Sequence, residues 1–232
     1  ITCSGCGQQN DDLEVLCVSC RSYLQSKVDN LNLFETVWQL IENPRAAFKK
    51  IVLARHKNYV FVLGPLLGIS SAFAFFWLMN LGNRFVNLLV LTGAGALLGI
   101  PLGIAFVLLV GAVVSNAIRL LGGKASPKNS RAVVAYAGMP VVLSLVAIFP
   151  LEVAIFGIDF FGTNPPPLVI NPFAYVGLLA FDAFAALWSV LLLYKGVNVL
   201  SGFGNVKTFA VTLVVPLLLT VFLFGIKVLR VA

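Results

Sequence analysis

Four cysteines, Cys3, Cys6, Cys17 and Cys20, fall in the first twenty residues as C-x2-C-x10-C-x2-C, and no cysteine follows them. Each C-x2-C pair can form a tight knuckle that turns two thiolates toward one metal ion. Two such knuckles complete a tetrahedral set with Zn–S distances of about 2.3 Å. Gly5 and Gly7 suit the first turn, because glycine accepts the positive φ that knuckles often need. A segment this short buries too little apolar surface to fold alone, so a bound metal would supply its folding energy. The spacing therefore predicts a small zinc ribbon over 1–22, with Leu13, Val15 and Cys17 alternating as a short strand. Two disulfides in an oxidising compartment are the competing reading, and it requires the head to lie outside the cell. A closed four-cysteine set leaves no open position for substrate, so it points to docking and not to catalysis.

The second residue with chemical potential is Asp182, in "AYVGLLAFDAFAALWSV", near the middle of an apolar run. A carboxylate at membrane depth needs a partner, and Thr92, Ser115, Asn116, Tyr136 and Ser144 are candidates. Tyr175, Leu178, Ala185, Ala186 and Ser189 share its helical face, which is small enough to pack inward. Glu152 and Asp159 bracket the outer end of the preceding run and are expected to reach water. Other catalytic patterns are missing: no HExxH helix, no G-x-S-x-G, no phosphate-binding loop. The single histidine, His56, precedes the membrane domain and reads as a solvated polar end. The expectation is a non-enzymatic protein.

The elements that must position these residues are membrane helices. Of the 232 residues 59% are hydrophobic and 11% charged, with a mean hydropathy of +0.98. A soluble domain carries about a quarter charged residues. Asp and Glu number six before residue 59 and three after it. Runs of about 20 apolar residues match a hydrocarbon core of about 30 Å, and they occur at about 59–79, 99–121, 133–156, 172–194 and 208–228. The stretch 85–98 leads into the second run as a re-entrant, interfacial or tilted extension. Gly95, Gly99 and Gly103 repeat every four residues, as do Gly64 and Gly68 in the first run. Small residues at this spacing let membrane helices approach closely.

Between head and membrane, 23–58 reads as an amphipathic connector. Asn32 with Glu35 reads as a capping box before "LFETVWQLIE". Asn43 caps a second helix with Pro44 at its first position. Trp, Phe and Lys side chains beside a span favour the bilayer interface, against a soluble helical hairpin. The +7 net charge fits span orientation, since no basic run with interleaved aromatics points to nucleic acid. With five spans and the N-terminus inside, 11 Lys and Arg face inward and three outward, whereas six spans give seven against seven. The chain is thus expected to be an all-α polytopic membrane protein with five transmembrane helices, preceded by a β-type ribbon and short amphipathic helices. Its N-terminus would be cytoplasmic and its C-terminus outside. No signal-peptide pattern opens the sequence, and residues are expected to precede Ile1.

The segment "LLGGKASPKNSRAVVAYAGMPVVLSLV" (120–146) resembles the Yip (Ypt-interacting protein) domain family. Members carry a Gly-Gly-Lys turn after the second span, a small basic loop and an Ala-Tyr-small-x-Pro lead-in to the third. Gly122, Gly123, Lys124, Tyr136 and Pro140 stand at those positions. "ENPRAAFKKI" (42–51) and "YKGVNVLSGFGNVKTFAVTLVVPLL" (194–218) resemble the start and the last interspan link of bacterial members. The likeness covers about 42–232, and prokaryotic relatives often begin with a zinc ribbon. The aspartate-rich and tyrosine-rich signatures of eukaryotic members are not evident, so no Rab GTPase role carries over. The resemblance implies a scaffold or adaptor of a prokaryotic cytoplasmic membrane, with the bilayer and a protein as partners. An accessory subunit of a larger complex, or a small transporter or lipid-handling protein using Asp182, are the alternatives.

Overall fold

Asparagine side chains set where several helices begin. In the computed structural model, which describes residues 1–24, 30–57, 59–85 and 87–217, the chain forms two units, Ile1–Asn58 and Tyr59–Ala232.

In the first unit, the cysteine head precedes α1 (Leu33–Glu42) and α2 (Pro44–Leu53). The Asn32 side chain accepts from the Glu35 N–H at 3.3 Å, and Asn43 accepts from Ala46 at 3.2 Å with Pro44 next to it. Each cap satisfies an N–H that the first helical turn leaves without a partner. Ala47, Phe48 and Ile51 are fully buried, and Lys50 reaches Glu35 at 2.6 Å to tie α2 to α1. Phe34, Trp38 and Ile41 stay exposed along one face of α1. His56 is exposed.

The second unit holds four helical stretches long and apolar enough to cross a membrane among the described residues. They are α3 (Val60–Leu78), α4 (Leu88–Leu120), a broken run Pro127–Phe161, and α9 (Pro172–Ser201). The broken run comprises α5 (Pro127–Ala137), α6 (Met139–Ala147), α7 (Phe149–Phe156) and a 3-10 turn, Gly157–Phe161. Its breaks fall at Gly138 and Ile148, each two residues before a proline. Proline cannot donate the i→i−4 bond and crowds the preceding turn, which explains both interruptions. A short helix, α8 (Pro167–Ile170), precedes α9, and a further apolar helix, α10 (Asn205–Leu217), follows it. The fifth expected span, 208–228, is helical up to Leu217, and 218–228 lie outside the described residues. Outward-facing Leu89, Leu97, Leu109, Phe173, Phe181 and Leu187 give the helices an apolar exterior. Such a surface suits hydrocarbon and not water. The protein is an integral membrane protein.

Two sequence expectations differ from the observed elements. The helix expected from 99 begins at Leu88, where the Asn87 side chain caps it by accepting from Val90 at 2.9 Å. The stretch 88–98 is therefore neither re-entrant nor separate from the second span. At about 1.5 Å per residue α4 runs about 50 Å, so it must tilt or project beyond a hydrocarbon core of about 30 Å. The head, in turn, has no strand among the described residues, only the isolated bridges Thr2–Gln9 and Leu16–Tyr23. Its backbone N–H groups are engaged in the cysteine turns described below.

α3 and α4 cross backbone against backbone. A Cβ placed on Gly68 would lie 2.0 Å from the Gly99 carbonyl oxygen, and one on Gly103 would lie 2.1 Å from that of Gly64. A Cβ on Gly99 would meet the Ile69 Cα at 2.5 Å. Gly95 lies under the Phe73 ring, 2.3 Å from where its Cβ would be. Gly64 differs, because its Cβ would find only ordinary contacts at 3.6 Å and beyond. Backbone cannot move aside as a side-chain tip can, so Gly68→Ala must separate the helices, at a cost of about 1–3 kcal/mol. Thermal unfolding in detergent should show a lowered Tm for Gly68→Ala and a near-wild-type Tm for Gly64→Ala. Equal Tm values for the two would refute the contact.

Candidate functional site

The cysteine head is built twice from one turn. The Cys3 N–H donates to the Gln8 carbonyl at 2.9 Å and the Gly7 N–H to the Cys3 carbonyl at 2.9 Å. Fourteen residues later Cys17 donates to Ser22 at 2.9 Å and Arg21 to Cys17 at 3.0 Å. Gly7 and Arg21 take the same left-handed position, with φ of 70° and 57°. The bridges Thr2–Gln9 and Leu16–Tyr23 extend the correspondence, so the two turns match residue for residue from 2–9 to 16–23.

This duplication brings the four sulfurs together. All four Sγ atoms lie within 4.8 Å of one another, with Cys3–Cys20 at 3.5 Å and Cys6–Cys17 at 3.6 Å. A tetrahedral ion with bonds of about 2.3 Å needs sulfur–sulfur edges of about 3.8 Å, whereas a disulfide needs about 2.05 Å. The donor set therefore fits a metal ion, and the cysteines are free thiols. Cys3 and Cys17 are buried, Cys6 and Cys20 exposed.

Residues that spacing alone did not single out complete the shell. The Ser22 hydroxyl lies 3.0 Å from the Cys3 sulfur and 3.1 Å from that of Cys20. Asn10 stitches the turns together, accepting from the Val18 N–H at 2.9 Å and donating to the Gln8 carbonyl at 2.8 Å and to the Cys17 sulfur at 3.6 Å. The Ser22 hydroxyl, with the N–H groups of Gly5 and Cys6, holds the Cys3 thiol down at about 6. The Cys17 thiol is also lowered, first by the Cys20 N–H. At Cys6 the Gln8 N–H pulls downward, but the thiols of Cys20 and Cys17 outweigh it and push the group up to about 12. Hydrogen bonds to a thiolate favour the charged form that ligates metal.

Asp182 and Glu152 form the second constellation. The Ser144 hydroxyl donates to Asp182 Oδ1, which selects Ser144 among the candidate partners. Thr92 and Ser115 instead donate to the carbonyls of Leu88 and Ala125, and the buried Tyr136 hydroxyl has no partner among the described residues. Glu152, expected at the water interface, is 2% exposed and interacts with the Asp182 carboxyl. The helical run continues past 156 to Phe161, which carries Glu152 deeper than a span ending at 156 would. Its two-turn separation from Ser144 was the available signal. Both carboxyls line a cavity of about 470 Å³ between α3, α6, α7 and α9. Trp77 Nε1 donates to the Tyr175 hydroxyl at 3.0 Å and holds α3 to α9 beside it. Asp159 sits half-buried in the 3-10 turn.

The Gly-Gly-Lys segment ends α4. Gly122 has φ of 87°, its N–H donates to Arg119 at 3.0 Å, and the Gly123 N–H donates to Ile118 at 2.9 Å. These are the two bonds of a Schellman cap. A Cβ on Gly123 would lie 2.6 Å from the Phe203 ring, and Lys207 reaches the Leu121 carbonyl at 3.4 Å over that same ring. The turn after α4 and the turn after α9 thus pack together at one end of the bundle. Lys124 lies in that first turn, Tyr136 in the core of α5, and Pro140 in the first turn of α6.

Removing the side chain that joins the two cysteine turns should weaken the metal site without deleting a ligand. Asn10→Ala is expected to lower metal affinity by about 10-fold to 100-fold, as loss of an outer-shell hydrogen bond typically does. Chelator competition on the purified protein measures this, and an unchanged affinity would remove Asn10 from the site.

A family model described as the Yip1 domain matches residues 38–226. No curated protein and no solved structure gave a match. The matched region takes in α2, the membrane helices and the two turns packed at the bundle end, and it leaves the cysteine head outside. By the match over most of its length, the chain belongs to the Yip1 domain family.

Proposed function

We propose that this protein is a non-enzymatic membrane scaffold whose zinc-folded head docks a protein partner at the cytoplasmic face. The observation that carries the reading is the four-sulfur cluster, all atoms within 4.8 Å, on a head that leaves Val18 and Tyr23 67% and 81% exposed. Zinc is the natural occupant of four thiolates. In zinc-finger peptides structural zinc contributes about 10–16 kcal/mol, more than a head of this size gains by burial. Exposed apolar and aromatic side chains on a rigid support are the usual anchors of a protein contact.

The orientation follows from charge. Among the described residues after Tyr59, Arg119, Lys124, Lys128, Arg131, Lys195 and Lys207 lie toward the end of the bundle where α4 and α9 finish, and Arg84 toward the other. Excess Lys and Arg mark the cytoplasmic side. That end is also where α3 begins, which supports a cytoplasmic N-terminus and, with a fifth span, a C-terminus outside. The exposed Phe34, Trp38 and Ile41 of α1 then suit the inner bilayer interface.

Metal analysis of the purified protein should give one zinc per chain, lost in a Cys3→Ser/Cys17→Ser double variant. Affinity purification in mild detergent should recover a partner with wild type and lose it with Val18→Ser/Tyr23→Ser. Absence of zinc together with oxidised cysteines would sink the reading. In a background without the native cysteines, a cysteine at Leu168 should label from outside intact cells and one at Ser126 should not. The reverse pattern would invert the topology.

A further inference from the structure

We propose that the cavity between α3, α6, α7 and α9 binds a lipophilic organic monocation, a protonated amine on a compact apolar body, with Glu152 and Asp182 as its counter-ion. This goes beyond the scaffold reading and does not depend on it. Three features of the cavity specify the ligand.

The first is unbalanced acidity. Glu152 and Asp182 line the same cavity and interact, and among the described residues no Lys or Arg lines it with them. Two adjacent carboxyls away from water hold either a shared proton or a cation between them, and among the described residues the lining offers no cation of its own. Asp182 already accepts from Ser144. Glu152 is 2% exposed, yet its Oε1 has no hydrogen-bond partner among the described residues. A buried acceptor without a donor is costly, and an ammonium N–H placed in the cavity supplies that donor.

The second is the lining. Phe73, Trp77, Phe149 and Phe160 form much of the wall, and Phe73 stacks on Phe149 with centroids 4.3 Å apart. Aromatic faces attract organic cations and cover apolar bodies. A hard metal ion takes about six or more oxygen ligands, which two carboxyls and the hydroxyls of Ser70 and Ser144 supply poorly. The volume of about 470 Å³ falls in the range of small-molecule sites, about 300–1,000 Å³.

The third is access. Ala183 and Ala186 on the cavity rim are exposed among the described residues, and they lie mid-length on α9, a membrane-spanning helix. A ligand arriving there comes through hydrocarbon, so its body must be lipophilic.

The test uses the full chain in nanodiscs of neutral lipid, with empty discs subtracting partition into lipid. The probes are 1-adamantanamine, charged at neutral pH, and 1-adamantanol, its uncharged counterpart. Equilibrium dialysis should show the amine binding wild type at least tenfold more tightly than the alcohol. Glu152→Gln and Asp182→Asn should each weaken the amine at least tenfold and leave the alcohol unchanged. Equal binding of the two probes, no amine binding above empty discs, or full amine binding by both variants would each overturn the proposal. The wild-type comparison decides the matter even where a variant fails to fold.

Discussion

The membrane domain depends on the absence of side chains where α3 meets α4. Within hydrocarbon no hydrophobic force drives helices together, so close van der Waals contact must hold them. Gly68, Gly99 and Gly103 permit that contact by letting backbone touch backbone. The consequences reach beyond the crossing. Gly95, one turn before Gly99, provides the floor on which Phe73 rests. Phe73 then stacks on Phe149 and tilts against Phe161, so the broken third span is fixed against the first two. The acidic cavity has Phe73 and Phe149 in its wall. Its shape therefore derives from a glycine contact made by backbone alone.

The two ends of the bundle are fastened by different chemistry. At one end the Schellman cap after α4 meets the Phe203–Lys207 turn through an aromatic ring and a lysine. At the other, Asn83 donates to the Thr163 hydroxyl at 2.8 Å and accepts from the Thr163 N–H at 3.1 Å. Interspan turns sit where water can satisfy what protein does not, so polar fastening costs little there. Inside the bundle the same economy fails, and Glu152 with Asp182 is the exception.

Features encoded by local stereochemistry were legible in the sequence. The Asn32 and Asn43 caps and Pro44 at a first helical position depend only on neighbours in the chain. The paired cysteines likewise announce the sulfur cluster, because a C-x2-C turn fixes its own geometry. Features set by where a helix stops were harder. A span ending at 156 places Glu152 at the interface, and only the continuation to Phe161 takes it inward to Asp182. The strand expected over 13–17 failed for a related reason. Alternation describes side chains, whereas the Cys3–Gln8 and Cys17–Ser22 bonds had already committed the backbone to turns. Asn10 was invisible because its partners, Val18 and Cys17, lie in the other turn.

The duplicated cysteine turn has symmetric backbone and asymmetric skin. Matching positions pair Thr2 with Leu16, Ser4 with Val18 and Gln9 with Tyr23, so in each pair the first copy is polar and the second apolar. A metal held by the four sulfurs would sit on a local dyad that the surface does not obey. The second turn carries the exposed apolar side chains Leu16, Val18 and Tyr23 beside its own exposed Ser19 and Arg21. The two copies of one backbone turn thus offer different chemistry to whatever surrounds the head.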